Sequence, residues 1–327
     1  LGICRRGRSV RLLVTGGAGF IGSNFVQRAL GRGDEVTVYD ALTYAGNMAN
    51  LAGLDDAYRG SAYRFVEGDV CDGDLLAATM VDHDAVVHFA AESHVDRSIT
   101  DPARFVVTNC QGTATVCEVA LRLEVGRVLH VSTDEVYGSI DVGSFVETDA
   151  LSPNSPYAAS KASSDLIALA YHATFGLPVV VTRSTNNYGR FQFPEKIIPL
   201  FVTRLLAGGS VPLYGDGANV RDWCHVDDNC DAIDLALRSG VSGSIYNVGA
   251  GNEITNLDLT GRLLSLCGAD ESSIEYVEDR LGHDRRYSVD TGRIEALGWE
   301  PQRGFDEGLA ETVAWYRDNP GWWGKGA

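Results

Sequence analysis

An apolar run at 10–15 ends in Thr15-Gly16-Gly17-Ala18-Gly19-Phe20-Ile21-Gly22, and the spacing of Phe20, Ile21, Phe25, Val26 and Leu30 that follows is helical. Glycines therefore fall at i, i+3 and i+6 between a strand and a helix. Each has a task there: Gly16 makes the turn, Gly19 lets backbone approach a pyrophosphate, and Gly22 lets the helix pack on the sheet. The free N–H groups at the helix start suit phosphate oxygens. A chain that opens this way is committed to an α/β fold with an anion site at the end of its first strand.

The remaining pattern agrees. Short apolar runs recur at 35–39, 63–66, 85–89, 125–131 and 179–182, separated by stretches of helical period at 72–80, 109–123 and 157–175. That alternation predicts a Rossmann-type doubly wound parallel sheet with helices on both faces. After about residue 185, Pro194, Pro199 and Pro212 punctuate the chain, and helical patterns appear at 195–207, 227–239, 256–266 and 305–319. A dinucleotide-binding domain over 10–185 is expected, with a smaller C-terminal α/β domain mainly over 186–327, an interleaved boundary, and an N-terminal extension at 1–9.

Composition excludes several function classes. With 27 basic and 44 acidic residues the formal charge is −17, which repels nucleic acid and anionic membranes. No apolar run approaches the ~20 residues of a membrane span. The seven cysteines are scattered, with no C-x-x-C pair, and read as reduced thiols of a cytoplasmic protein. Cys224, His225, Asp227 and Cys230 lie close together, but no second ligand pair at metal-site spacing occurs, so no metal is expected.

The second strand ends in Tyr39-Asp40. A carboxylate there accepts both ribose hydroxyls of an adenosine and repels a 2′-phosphate. No arginine follows within Ala41-Leu42-Thr43, so NAD is favoured over NADP. Gly68-Asp69-Val70 closes the third strand, where a side chain reaches an adenine. Phe89-Ala90-Ala91-Glu92-Ser93 closes the fourth, its small residues allowing close approach to a cofactor.

Tyr157 and Lys161 are four apart in a helical stretch and share one face. An ammonium beside a phenol, with a nicotinamide cation near, lowers the phenol pKa towards neutrality and makes it a base for a hydroxyl proton. Ser132 and Thr133 end the fifth strand nearby.

Thr-Gly-x-x-Gly-x-x-Gly with Tyr-x-x-x-Lys resembles the extended short-chain dehydrogenase/reductase family over nearly the whole chain. Within it, Ser132-Thr133-Asp134-Glu135-Val136-Tyr137-Gly138 is similar to the nucleoside-diphosphoglucose 4,6-dehydratases, because sugar-nucleotide 4-epimerases usually carry small or hydroxylated residues at 134 and 135. The resemblance implies a lyase in which Thr133, Tyr157 and Lys161 serve C4 oxidation, Asp134 is the acid and Glu135 the base of water loss across C5 and C6, and hydride then returns to C6. Two carboxyls in different environments can hold the two opposite protonation states this needs. It adds Phe20, Ile21, Leu42, Thr43, Thr108, Ser132 and Asn187 to the cofactor residues. It places Ser93, Thr133 and Asn186 at the sugar of the expected substrate, dTDP-glucose. Asn187, Lys196, Ile197, Pro199, Leu200, Pro212, Tyr214, Arg221, Asn256, Arg280 and His283 fall along its nucleotide and diphosphate. Arginine suits bidentate contact with phosphate. Two departures from the family pattern occur in Arg183-Ser184-Thr185-Asn186-Asn187-Tyr188-Gly189-Arg190: Ser184 for cysteine, and Arg190 for proline, the latter expected to add a cation near the substrate entrance. The family also implies a homodimer through a four-helix interface built from 109–123 and 157–175.

Overall fold

The structure is a computed structural model that describes residues 9–58 and 62–324. The expected N-terminal extension lies outside the described residues except for Ser9. Along the described chain run β1 (Arg11–Thr15), β2 (Glu35–Asp40), β3 (Tyr63–Glu67), β4 (Ala85–His88), β5 (Val128–Thr133), β6 (Val179–Ser184), β7 (Asn186–Tyr188), β8 (Val211–Tyr214), β9 (Val220–His225), β10 (Ile245–Val248), β11 (Glu253–Thr255) and β12 (Ile274–Val277).

Seven of these form one sheet in the order β10-β6-β5-β4-β1-β2-β3, and every pairing in it is parallel. Such strands are buried on both faces, and Leu12, Leu13 and Val14 of β1 are 0% exposed. Each contributes about 1.5–3 kcal/mol of transfer free energy. The helices Phe20–Gly31 and Val226–Ser239 supply Phe25, Val26, Ile233 and Leu237 to one face. Gly73–Met80, Gly112–Arg122 and Pro156–Phe175 supply Leu76, Val116 and Ala168 to the other. Strand order reverses between β1 and β4, which opens a crevice at their carboxyl ends.

The chain leaves this sheet after β6 to form β7, β8 and β9, returns through Val226–Ser239 and β10, and leaves again. Residues 226–248 thus belong to the large sheet although they lie past residue 185. A separate core joins the helices Ile197–Leu206, Asn256–Cys267 and Phe305–Asp318 through Phe201, Leu263 and Leu309.

Two boundaries differ from the periodicity. The run expected as a strand at 125–131 enters the sheet only at Val128, because Glu124 turns with φ 53° and the Val125 N–H bonds back to Ala120. The helix expected at 109–123 begins instead with a wide π-helical turn, Val106–Gln111, that runs into Gly112–Arg122. Such wide turns inside helices recur at functional sites, and this one carries the buried Asn109.

Candidate active site

The glycine loop forms as its spacing requires. Gly16 has φ 71°, and a Cβ on it would stand 2.6 Å from the Ala90 nitrogen; one on Gly22 would stand 2.2 Å from the Gly16 oxygen. The helix then starts at Gly19 with no side-chain cap, which leaves its first N–H groups facing a cavity of about 420 Å³. Asp40 is oriented by two backbone donors, Ala18 N–H at 2.9 Å and Leu42 N–H at 2.9 Å.

Of the expected cofactor residues, Gly16, Gly19, Phe20, Ile21, Gly22, Asp40, Thr43, Asp69, Val70, Ala90, Ala91, Thr108, Ser132, Tyr157 and Lys161 line this cavity. Two do not. Leu42 orients Asp40 through its N–H while its side chain packs on the core beneath. Asn187 lies on the neighbouring cavity, its amide bonded to the Thr185 carbonyl at 3.0 Å. A cradle that any Cβ would fill, an uncapped helix start and an oriented carboxylate at the strand end fit the pyrophosphate and ribose of a dinucleotide.

The adjoining cavity, about 530 Å³, contains the acid pair. Beyond β5 the chain enters the 3-10 turn Asp134–Tyr137, capped by the Thr133 hydroxyl accepting the Glu135 N–H at 3.3 Å. Both carboxyls thereby reach one cavity. Their surroundings differ. Asp134 is raised to about 8, by burial first and then by Glu135, with Asp222 acting in the same direction and the Thr133 hydrogen bond and Arg221 opposing. Glu135 is also raised by burial, but Lys196, Arg280 and Arg221 all pull it down.

The helix Pro156–Phe175 starts where Ser155 accepts the Ala158 N–H at 3.1 Å. Lys161 donates to the Val131 carbonyl at 2.7 Å and is lowered to about 8 by burial, with Asp165 opposing. Tyr157 departs from expectation. Burial and the charge of Glu135 push its phenol well above the usual value, against a hydrogen bond with Thr133. The drop towards neutrality is not produced by the protein's own groups, since two carboxyls stand beside the phenol.

Behind these residues lies a frame that the sequence did not reveal. Asn109 accepts the Glu92 N–H at 2.8 Å and donates to the Glu92 carbonyl at 3.0 Å and the Ser160 hydroxyl at 2.8 Å. It ties the loop after β4 to the first turn of the Tyr157 helix. Asp165, wholly buried, accepts from Arg183 Nε at 2.9 Å, and Arg183 donates to the Tyr137 hydroxyl at 2.7 Å.

Ser93, Thr133, Asn186, Asn187, Lys196, Ile197, Leu200, Pro212, Tyr214, Arg221, Asn256, Arg280 and His283 line the larger cavity. Pro199 does not, because it sits on the buried side of the helix Ile197–Leu206. Arg221 is held by the Asp284 carbonyl at 2.9 Å and lies over the Tyr287 ring at 4.1 Å. His283 is bonded to Asp279 at 2.6 Å, and the Lys196 ammonium to the Ser93 carbonyl at 2.7 Å. Tyr287, Gln192 and Glu195 also line the cavity, and no motif marked Tyr287 or Gln192.

Arg190 is not at the substrate entrance. Its guanidinium donates to Asn24 at 2.8 Å and Gln27 at 3.1 Å on the first helix, so it anchors the chain where a proline would have bent it. In the 224–230 segment, Cys230 points its thiol at the Ile21 carbonyl and His225 caps the Asp227 N–H at 3.2 Å. Among the described residues no cluster of three or more His, Cys, Asp or Glu is arranged to hold a metal ion.

The pattern of the GDP-mannose 4,6 dehydratase family matches residues 13–312, so the chain belongs to that family, within the extended short-chain dehydrogenases. The individual relatives are narrower in kind. A dTDP-glucose 4,6-dehydratase of Actinoplanes sp. is 56% identical over 323 residues, 96% of this chain and 100% of that protein. DesIV, a dTDP-glucose 4,6-dehydratase of Streptomyces venezuelae solved with NAD and dTDP bound, superposes with a TM-score of 0.93 at 60% identity, over 96% of this chain and 98% of its own. A UDP-glucose 4-epimerase of Thermotoga maritima has a TM-score of 0.88 at 32% identity, over 95% and 99% of the two chains.

Proposed function

We propose that this chain is an NAD-dependent hydro-lyase that converts dTDP-glucose to dTDP-4-keto-6-deoxyglucose. The observation that carries the reading is Asp134 and Glu135 in one cavity with Tyr157, Asp134 facing mainly acids and Glu135 facing three cations. Environments pushed apart in this way mark an acid and a base. The dehydratase relatives, at 56% and 60% identity, support the same chemistry and substrate.

The glycine loop would hold the cofactor's pyrophosphate, Asp40 and Thr43 its adenosine ribose, and Asp69 and Val70 would border the adenine. NAD, when bound there, supplies hydride acceptance from C4 of the sugar and hydride return at C6. Tyr157 takes the C4 hydroxyl proton; against its two carboxyl neighbours, the phenolate would be favoured by the nicotinamide cation of bound NAD together with the Lys161 ammonium. The C4 ketone acidifies the C5 hydrogen, which Glu135 removes while Asp134 protonates the departing C6 hydroxyl. Glu135 then returns its proton to C5. Each turnover leaves one proton on Tyr157 and takes one from Asp134. Thr133, hydrogen-bonded to both, links the two sites. Lys196, Arg221 and Arg280 meet the diphosphate, and in a chain of −17 such clustered cations focus the anion locally.

Purified protein incubated with dTDP-glucose and no added NAD is expected to yield a sugar nucleotide lighter by one water. Conversion to an isomer of unchanged mass would replace this reading with an epimerase.

We further propose a homodimer and a cytoplasmic setting. Support for the first is a helical stripe on Pro156–Phe175, where Ala159, Ser163, Leu166 and Ala170 are exposed without a charge among them. For the second, the six described cysteines are free thiols, and no helix among the described residues is long and apolar enough to cross a membrane.

A further inference from the structure

Three segments far apart in sequence meet where the two cavities join. They are the loop after β2, the first turn of the helix Val95–Thr100 after β4, and residues 189–196, which strap the large sheet to the second lobe. The strap is pinned at both ends, by Arg190 to Asn24 and Gln27 and by Lys196 to the Ser93 carbonyl. Between the pins, the Tyr44 hydroxyl donates to Glu195 Oε1 at 3.2 Å. The Arg97 guanidinium lies over the Tyr44 ring at 3.6 Å, and its Nε stands 3.6 Å from Glu195 Oε2. Phe193 packs edge-on against the same ring at 5.8 Å.

Glu195 and Gln192 line both cavities, and Phe193 lines the smaller one. The strap is thus the common roof, and Tyr44, Arg97 and Glu195 are its fastening to the wall opposite. None of the three has a part in the proton transfers above.

The reaction supplies the reason for a fastening, and here the inference rests on the proposed function. Hydride taken from C4 must be returned to C6 of the same sugar, so a cofactor that departed after the first step would strand an oxidised sugar. We infer that Tyr44, Arg97 and Glu195 form a clasp that closes the 189–196 strap over the cofactor and retains NAD through the whole turnover. They are positioning residues whose effect is on cofactor escape.

The test measures release of NAD without substrate, so it does not depend on dehydratase activity. Protein loaded with isotopically labelled NAD is diluted into unlabelled NAD, and retained label is followed with time. Arg97→Ala removes the stacked cation and the ion pair together and is expected to release NAD about tenfold faster than wild type, since affinity changes of this kind fall mainly on the off-rate. Tyr44→Phe keeps the ring, loses the hydroxyl, and should fall between the two. Arg285→Ala, which removes an exposed arginine paired with Asp216, should release NAD at the wild-type rate. In Arg97→Ala, activity should also come to depend on added NAD and recover when NAD is saturating. Release from Arg97→Ala as slow as from wild type, or equally fast from Arg285→Ala, overturns the clasp. A wild-type protein that takes up no NAD overturns the cofactor reading and the clasp with it.

Discussion

Asp134 and Glu135 are neighbours in sequence that the fold treats oppositely, and the difference is measurable. Because Asp134 is raised to about 8, the acid is loaded below that pH, and turnover should fall as pH rises through about 8. The same shift has a stability consequence. A carboxyl whose folded pKa exceeds its unfolded value stabilises the fold at low pH, and that contribution is lost as pH rises from 3.8 through 8. Asp134→Asn mimics the protonated form, so its gain in Tm over wild type should grow from acidic to alkaline pH; a gain independent of pH would refute the assignment. Glu135→Gln should keep C4 oxidation, seen as reduced cofactor absorbance, while water loss falls by about 10²–10⁴-fold. The pair, its Thr133 neighbour and the Tyr157–Lys161 spacing were legible because each lies in a short local motif. Asn109, Asp165 and Tyr287 were not, since their roles come from partners 17 to 51, 18 and 66 residues away. The raised Tyr157 was also hidden: sequence puts Lys161 four residues from it but says nothing of Glu135 packing against it.

At the scale of elements, short apolar runs alternating with stretches of helical period, together with the glycine loop, carried the fold, because a continuous apolar run, a period of 3.6 and a fixed turn are properties of contiguous residues. What failed were the places where tertiary contact decides. Leu42 and Pro199 sit in segments that approach the ligand cavities, yet Leu42 packs on the core and Pro199 is buried in its helix away from the cavity lining. Arg190 is drawn to Asn24 and Gln27 across the strap, a contact 163 to 166 residues long that no local rule foresees. Among the described glycines, Gly22 leaves the least room for a Cβ, because it lies against the Gly16 carbonyl. Gly22→Ala would push a Cβ to 2.2 Å from backbone, costing about 1–3 kcal/mol as overpacking does, and should lower Tm and abolish retention of NAD. Unchanged NAD content in that variant would contradict the phosphate role of the loop.

For the whole molecule, the return of residues 226–248 to the large sheet ties the two lobes by more than one crossing, with the ligand cavities lying where they meet. The uncharged stripe around Leu166 predicts that Leu166→Glu shifts the mass seen by light scattering from dimer to monomer; a wild-type monomer would remove the proposed interface. On the proposed function, one chain oxidises, dehydrates and reduces a single sugar without exchanging its cofactor. The most direct test is dTDP-glucose labelled with deuterium at C4, incubated with the protein in a pool of unlabelled NAD. Loss of one water is expected, with the deuterium retained at C6 of the product. Deuterium appearing in the free cofactor, or a product of unchanged mass, would contradict that function.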